Sequence, residues 1–256
     1  MSSTTPSLLD RWASGQTTYG AWCVIPSTVS AQRVADVGFD YVCVDQQHGA
    51  IGYSEALPMF QVLAGRTTPI TRVHWNDPGT IMKALDAGAE GVVVPLVSTA
   101  EDAEAAVAAC RYPPDGQRSY GPVVASMTMR SRRPDELGRV ACIVMIETQE
   151  GMDNLDEICA TPGVDAVYVG PADLALSLGL PPAYEHDEPR HAEAITAIRD
   201  ACRRHGIVPG IHCADGEMAA RRVVEGFQMV TVGQDLGVLG AGMGAAVAAA
   251  KDDVAT

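Results

Sequence analysis

Two apolar stretches decide the fold, ACIVMIE at residues 141–147 and DAVYVGPAD at residues 165–173. Continuous apolar runs of this kind are typical of strands that are buried on both faces of a parallel α/β sheet. Each stretch stops at a carboxylate: Glu147 follows its strand directly, and Asp173 follows after a short Gly-Pro-Ala turn. We therefore expect both side chains at the carboxyl-terminal edge of the sheet, where such folds bind their ligands.

Strand-like and helix-like stretches alternate outward from this pair along all 256 residues. Eight strands are predicted, at 18–25, 39–44, 69–73, 91–96, 141–147, from 165, 208–213 and 227–233. Helices are predicted between them, at 30–37, 54–64, 78–88, 100–110, 187–206, 215–226 and from 235 onward. The pattern predicts an α/β fold, a (β/α)8 TIM barrel formed by residues 1–256 as a single domain.

One region, residues 111–138, interrupts this alternation with proline, glycine and several arginines. A long loop of this kind is usually either functional or disordered. Two roles stay open for Arg118: it clamps a carboxylate or phosphate of the substrate, or it interlocks subunits. We expect the remaining arginines of the region to form a solvated or interface patch.

Composition narrows the classes of partner. The formal net charge of −14 disfavours nucleic acid and anionic membranes. No apolar run approaches the length of a membrane span, and the start of the chain, MSSTTPSLLDRW, lacks the apolar core of a secretory signal. Seven scattered cysteines without a CxxC pair predict reduced thiols and a cytoplasmic protein.

The two strand-end carboxylates predict a metal site. Glu147 and Asp173 would repel each other at neighbouring strand ends, and the usual remedy is a shared proton or a hard divalent cation. The alternative is that each carboxylate only caps the helix that follows its strand. Their occurrence together favours the metal site.

Three more polar residues follow the second and third strands. Asp45 lies three residues before His48, so it could accept the imidazole N–H and leave the other ring nitrogen as a general base; otherwise His48 is an ordinary loop histidine. Arg72 could stabilise an enolate oxygen or only pair with a carboxylate at the barrel end. His74 faces the site or lies on the loop.

Several catalytic motifs are absent from the sequence, including a GxGxxG after the first strand, a Walker loop and a GxSxG. The two lysines, Lys83 and Lys251, lie in helical segments and not at strand ends. An imine mechanism is therefore disfavoured, and metal-stabilised enolate chemistry remains.

Six segments together resemble, in order and spacing, the HpcH/HpaI family of class II, metal-dependent pyruvate aldolases. They are VDQQHG (44–49), RVHWNDP (72–78), LDAGAEG (85–91), RYPPDGQR (111–118), IETQE (146–150) and VGPADL (169–174). The resemblance runs through almost the whole chain. It implies reversible cleavage of a 4-hydroxy-2-oxo acid to pyruvate, or hydroxypyruvate, and an aldehyde.

The resemblance also implies roles for individual residues. Glu147 and Asp173 would bind Mg²⁺, Mn²⁺ or Co²⁺, and Arg72 would hold the keto oxygen as it becomes an enolate. His48, oriented by Asp45, would move the proton. The substrate carboxylate would bind the backbone around Gly170, Pro171 and Ala172.

Quaternary structure is implied in the same way. Asp86 would reach the site of a neighbouring subunit, as its counterpart does in the family. The family forms homohexamers, trimers of dimers that exchange C-terminal helices, and the Ala/Gly-rich tail of this chain suits such packing.

The chain departs from the family pattern at three positions, Gln47, Met145 and His74, where Glu, Gln and Pro are usual. These changes put the native substrate in question more than the reaction type. Two other functions stay open: an acyl-CoA lyase of the citramalyl- or malyl-CoA type, and a non-catalytic ligand-binding barrel. The acidic charge balance disfavours the first, and the complete set of polar residues disfavours the second.

Overall fold

The computed structural model describes residues 6–252. Two parts of the chain lie outside the described residues, residues 1–5 and residues 253–256. The first part includes the start of the segment examined for a secretory signal, and the second includes the predicted continuation of the last helix. No described helix is both long enough and apolar enough to cross a membrane.

Eight parallel strands close into a barrel in the order β1 to β8, with β8 hydrogen-bonded back to β1. The strands are β1 (Thr18–Cys23), β2 (Tyr41–Asp45), β3 (Thr68–Arg72), β4 (Gly91–Val94), β5 (Ala141–Ile146), β6 (Ala166–Val169), β7 (Val208–Ile211) and β8 (Met229–Gln234). The predicted TIM-barrel fold is confirmed.

Helices surround the barrel. They are α1 (Leu8–Ala13), α2 (Thr28–Ala35), α3 (Tyr53–Leu63), α4 (Pro78–Asp86), α5 (Ala100–Cys110), α6 (Val123–Thr128), α7 (Pro134–Leu137), α8 (Gln149–Asp153), α9 (Leu155–Ala160), α10 (Pro171–Ser177), α11 (Pro189–His205), α12 (Gly216–Glu225) and α13 (Asp235–Asp252). The start predicted for α4 is confirmed: Asp77 caps it by accepting the backbone N–H of Thr80 at 2.7 Å, and Pro78 is its first residue.

The region 111–138 differs from the predicted loop because it contains α6 and α7. Both helices are short, six and four residues, so they carry little of the periodic pattern that reveals a helix in a sequence. A small apolar cluster of Tyr112, Ala125 and Leu137 holds the region together.

The core has two layers. The outer layer, between strands and helices, consists mainly of aliphatic and alanine side chains. The inner layer fills the barrel and contains larger residues, among them Trp22, Tyr41 and Tyr168. Helix α1, which the alternation did not predict, adds Leu8 and Trp12 to this inner layer. All seven cysteines are buried and unpaired.

Position 20 must be glycine because a neighbouring side chain occupies the space that a Cβ would need inside the barrel. Gly20 of β1 pairs in register with Tyr41 of β2, and a Cβ at position 20 would overlap the ring of Tyr41. That ring is fully buried and has no free space to move into.

We predict that Gly20→Ala lowers the free energy of unfolding by about 1–3 kcal/mol, because one extra methyl group overpacks the barrel interior. Urea unfolding followed by circular dichroism measures the change. Gly121→Ala is the matched control, since a Cβ there meets no atom within 4 Å. Equal stability of the two variants would contradict the tight contact between β1 and β2.

Candidate active site

A cavity of about 160 Å³ opens at the carboxyl-terminal end of the barrel. The ends of β2, β3, β5 and β6, where the sequence predicts metal ligands and catalytic residues, all contribute side chains to this cavity. The lining residues are Trp22, Asp45, His48, Arg72, Met145, Glu147, Gly170, Pro171, Ala172, Asp173, Tyr184, His212 and Gln234. The barrel thus brings together most of the predicted site residues.

Glu147 is held at the end of β5 with one oxygen bound and one free. Its Oε1 accepts the backbone N–H of Leu96 at 2.9 Å. Leu96 has a positive φ of 56°, a conformation rare for a side chain of its kind, and this turn after β4 aims the N–H at the carboxylate. The other oxygen, Oε2, is buried without a hydrogen-bond partner in the described residues.

The pKa of Glu147 is raised to about 7, chiefly by burial. The Leu96 N–H and the positive charge of Arg72 oppose this rise in the pKa, whereas the negative charge of Asp173 contributes to it. A carboxylate whose pKa is raised by burial and by a second carboxylate suits a cation, because a dication compensates both the lost hydration and the repulsion.

Glycine at position 170 leaves the space in which Glu147 lies. A Cβ there would overlap Oε2 of Glu147 and would approach Cε of Met145 to 3.0 Å. Helix α10 begins directly afterwards and carries Asp173 in its first turn. His191 of α11 fixes this turn, since its Nε2–H donates to the carbonyl of Pro171 at 2.9 Å.

The donor set fits a hard divalent cation. Carboxylate oxygens are the ligands that such ions prefer, and the unpartnered Oε2 of Glu147 is the kind of group that a cation would satisfy. The described residues contain no cluster of three or more His, Cys, Asp or Glu ligands. Glu147 and Asp173 are the two carboxylates of this cavity that do not pair with Arg72.

Arg72 is fixed in one orientation. Its Nε and Nη2 donate to Asp45 Oδ1 and Oδ2 at 2.9 and 2.7 Å, and the guanidinium carbon lies 4.5 Å from the centre of the Trp22 ring. Burial alone would lower the pKa of Arg72, but the hydrogen bonds and charge of Asp45 raise it above its ordinary value. The site thus contains a permanently charged guanidinium that is held in place before substrate arrives.

The predicted role of Asp45 needs a correction. Both of its oxygens bind Arg72, and Oδ1 also accepts the backbone N–H groups of Gln47 and His48 at 3.1 and 3.4 Å. No hydrogen bond joins Asp45 to the His48 ring in the residues that the structure describes. The spacing of three residues forms a turn around the Asp45 carboxylate instead, because backbone N–H groups reach it before the imidazole does. His48 itself is exposed at the cavity.

Arg118 and Asp86 lie outside this cavity and bind each other. Arg118 is 1% exposed; its Nη2 donates to Asp86 at 2.8 Å, its Nη1 donates to the Leu137 carbonyl at 3.1 Å, and its guanidinium stacks on Tyr112. The predicted substrate clamp is therefore wrong for the cavity of the same chain, because Arg118 is used to hold the region 111–138. Asp86 is partly exposed, and its predicted contact with a neighbouring subunit stays a prediction.

The three departures from the family pattern differ in their distance from the site. Met145 lines the cavity and offers only a weakly accepting thioether beside Glu147. Oε1 of Gln47 is buried without a partner in the described residues. His74 lines a separate cavity together with Asp77 and Lys83, so of its two open roles the structure supports the loop position.

One wall of the cavity was not predicted from the sequence. Trp22, Tyr184, His212 and Gln234 line it. His212 and Gln234 follow or end strands β7 and β8, so the rule that identified Glu147 applied to them as well. Trp22 lies inside a strand and Tyr184 lies in the connection between α10 and α11, where no local pattern shows that the side chain reaches the cavity.

Comparisons with known proteins agree with this geometry. The family model described as HpcH/HpaI aldolase/citrate lyase matches residues 19–241. The chain is 36% identical over 242 residues to a hydroxypyruvate/pyruvate aldolase of Rhizorhabdus wittichii, which covers 94% of this chain and 96% of that protein. It is also 36% identical over 241 residues to a 4-hydroxy-2-oxo-heptane-1,7-dioate aldolase of Klebsiella pneumoniae, covering 91% of this chain and 89% of that protein.

A solved structure shows the same fold at high similarity. It is the crystal structure of a family protein from Burkholderia cenocepacia, with a TM-score of 0.89 and 30% sequence identity, covering 95% of this chain and 98% of that one. The family match extends over nearly all eight strands and over the strand ends that carry Glu147, Asp173 and Arg72. The chain belongs to the HpcH/HpaI aldolase/citrate lyase family.

Proposed function

We propose that the chain is a divalent-metal-dependent lyase, an aldolase that reversibly cleaves a 4-hydroxy-2-oxo acid to pyruvate, or hydroxypyruvate, and an aldehyde. One observation carries the proposal: the unpartnered Oε2 of Glu147 is buried in a cavity that Asp173 and the Arg72–Asp45 pair also line. The reaction class is supported by the names of the relatives from Rhizorhabdus wittichii and Klebsiella pneumoniae.

Glu147 and Asp173 would hold the cation, and Mg²⁺, Mn²⁺ and Co²⁺ are the candidates. When bound, such a cation supplies Lewis-acid stabilisation of the negative charge that develops on the keto oxygen during enolate formation. The low-polarity surroundings of Glu147, including Met145, strengthen electrostatic interactions within the cavity.

The first turn of α10 suits the carboxylate of the 2-oxo acid. The backbone N–H groups of Ala172 and Asp173 belong to the first positions of the helix, which have no carbonyl partner inside it. Gly170 and Pro171 carry no bulky polar group into this part of the cavity. The substrate carboxylate would therefore bind at the backbone of residues 170–173.

Arg72 would stabilise the enolate oxygen. Its guanidinium is already oriented by Asp45 and by the Trp22 ring, so little reorganisation is needed when charge develops on the substrate. This arrangement favours the charged enolate over the neutral ketone, as transition-state stabilisation requires.

His48 would move the proton. In the cleavage direction it takes the proton of the C4 hydroxyl, the C3–C4 bond breaks, and the electron pair of that bond forms the C2–C3 double bond of the enolate. The aldehyde leaves, and the same proton returns to C3 to give pyruvate. His48 is exposed at the cavity, and imidazole is the side chain most often used for such proton transfers.

The two other functions are less well supported. A CoA thioester carries several phosphate charges, and the only arginine that lines this cavity among the described residues is already bound by Asp45. A non-catalytic barrel does not require the buried, unpartnered carboxylate oxygen of Glu147, which costs folding free energy.

We also propose that the protein is a homohexamer, a trimer of dimers that exchange helix α13, and that it acts in the cytoplasm. Every described side chain from residue 236 to 251 is exposed, including the apolar residues Leu239 and Met243. A helix of this apolar composition is stable when its surface is covered, and a second copy of the chain would cover it. The seven free thiols suit a reducing compartment.

We predict that protein treated with EDTA does not exchange the methyl protons of pyruvate with D₂O, and that adding Mg²⁺, Mn²⁺ or Co²⁺ restores the exchange. Proton NMR of the pyruvate methyl signal measures the rate without any aldehyde. Glu147→Gln and Asp173→Asn should each lower the metal-restored rate by at least about 100-fold, because they remove a charged ligand.

His205→Leu is the control for these variants, since His205 lies at the end of α11 beside Asp156 and outside the cavity. It should exchange like the unmodified protein. Full exchange in EDTA would show that the reaction needs no metal. Full exchange by Arg72→Ala would rule out the enolate role of Arg72.

We predict that the metal-free protein loses stability as the pH rises from 5 to 8. The pKa of Glu147 is about 7 in the folded protein and near its ordinary 4.5 in the unfolded chain, so between these values the folded state binds more protons. The free energy of unfolding therefore falls with rising pH and levels off above about 7. Urea unfolding at several pH values measures this slope.

Glu147→Gln should remove this part of the slope, and saturating Mg²⁺ should reduce it, because the ion compensates the buried charge. Glu185→Gln, at an exposed ion pair with Arg221, is the control and should keep the slope. An unchanged slope in Glu147→Gln would mean that Glu147 titrates normally in the folded protein.

We predict that the double variant Leu239→Glu, Met243→Glu is a smaller species than the unmodified protein. Two buried carboxylates in a subunit interface are costly, so the exchanged contact should be lost. Light scattering coupled to size-exclusion chromatography measures the mass. Val224→Glu, at an 89% exposed position of α12, should leave the mass unchanged; a monomeric unmodified protein would contradict the hexamer.

A further inference from the structure

Part of the cavity wall, beside the carboxylates, consists of flat side chains. The ring of His212 lies edge-on to Trp22 with the centroids 4.8 Å apart, and Tyr184 stacks on the His212 ring at 5.6 Å and 19°. The residue after Tyr184, Glu185, is paired with Arg221 of α12 at 2.7 Å, so the connection that carries Tyr184 is attached to the barrel. The stack gives this side of the cavity a fixed shape.

Among the described residues of one chain, the charges that line the cavity leave no cation for a second carboxylate. Three carboxylates line it, those of Asp45, Glu147 and Asp173, and they face one guanidinium, that of Arg72, which Asp45 already binds. A dication held by Glu147 and Asp173 would balance these two groups only. Lys83 lies in the separate neighbouring cavity, with its ammonium over the ring of Tyr53.

His212 supplies a neutral hydrogen-bonding group to this wall. Its Nδ1 lies 3.4 Å from the hydroxyl of Tyr168, which also contacts the hydroxyl of Thr231. No hydrogen bond among the described residues uses Nε2, although the ring lines the cavity. The pKa of His212 is lowered to about 4, chiefly by burial and also by the charge of Arg72, which the charge of Asp45 opposes, so the ring is uncharged at pH 7.

A neutral imidazole nitrogen pairs well with a hydroxyl group and poorly with a carboxylate. A carboxylate that enters a cavity loses its hydration, and without a cationic partner that loss is not compensated. A hydroxyl loses less and can both donate and accept. The amide of Gln234, on the same wall, offers another uncharged donor and acceptor.

We propose that the wall of Trp22, Tyr184, His212 and Gln234 is the subsite of the acceptor aldehyde, and that it selects uncharged hydroxyaldehydes over aldehydes that carry a carboxylate. This inference rests on the proposed aldolase function and adds the substrate class. The proposed preference of this chain differs from a preference for a dioate, the type of substrate that appears in the name of the Klebsiella pneumoniae relative.

The test uses the metal-loaded protein, pyruvate and a panel of four-carbon aldehydes: 2- and 3-hydroxybutanal, butanal and succinic semialdehyde. Pyruvate consumption gives kcat/KM for each aldehyde. At least one hydroxyaldehyde should exceed butanal and succinic semialdehyde by about tenfold, the factor expected for one hydrogen bond in a buried site.

His212→Leu keeps much of the side-chain volume and removes the ring nitrogens. It should lower the preference for the hydroxyaldehyde over butanal by about tenfold, and His212→Gln should restore part of it. His205→Leu is the matched histidine control, because it lies outside the cavity. Methyl-proton exchange of pyruvate should be unchanged in His205→Leu, and because it needs no acceptor it reports separately whether enolate formation survives in the His212 variants.

The outcomes separate this inference from the proposed function. Preference for succinic semialdehyde, or an equal loss of kcat/KM for every aldehyde in His212→Leu, would overturn the acceptor subsite while methyl-proton exchange still supported the aldolase. A protein that shows neither exchange nor aldol addition with any of the three metals would overturn both.

Discussion

The structure depends on one buried carboxyl group, that of Glu147. Strand β5 ends in the cavity, the backbone of Leu96 adopts a rare conformation to donate to one oxygen, and Gly170 leaves room for the other. An unpartnered oxygen at this depth costs stability. A fold keeps such a cost where function needs it, and the neighbouring Asp173 makes cation binding the simplest compensation.

The Arg72–Asp45 pair solves the opposite problem, a positive charge that must stay buried and yet remain useful. A bidentate pair fixes the guanidinium and balances its charge, so the barrel tolerates it. Its remaining capacity for hydrogen bonds faces a cavity in which a negative charge is expected to form only during the reaction. The pair therefore gives Asp45 a structural role, the orientation of Arg72, that needs no contact between Asp45 and the imidazole of His48.

Sequence patterns could predict the barrel and the position of Glu147 and Asp173 at its carboxyl-terminal end, because buried parallel strands read as apolar runs and ligands collect at their ends. They could not predict the partner of Asp45, since the pairing depends on the register that places Asp45 opposite Arg72 across β2 and β3. The partner of Arg118 could not be predicted for a similar reason: only tertiary packing shows that it is buried against Asp86. Tyr184 lies in an irregular connection whose path no local propensity determines.

The two walls of the cavity impose different electrostatic demands, and this division argues for separate control of chemistry and selectivity. The wall of Glu147 and Asp173 requires a fixed number of charges, because too few would release a cation and too many would repel the 2-oxo acid. The wall of Trp22 and His212 carries no charge at neutral pH and makes contact mainly through ring faces and one free nitrogen. Substitutions there alter the fit of an aldehyde without changing the charge balance at the enolate. Members of one barrel family can therefore share the enolate chemistry and differ in the aldehyde that they join to it.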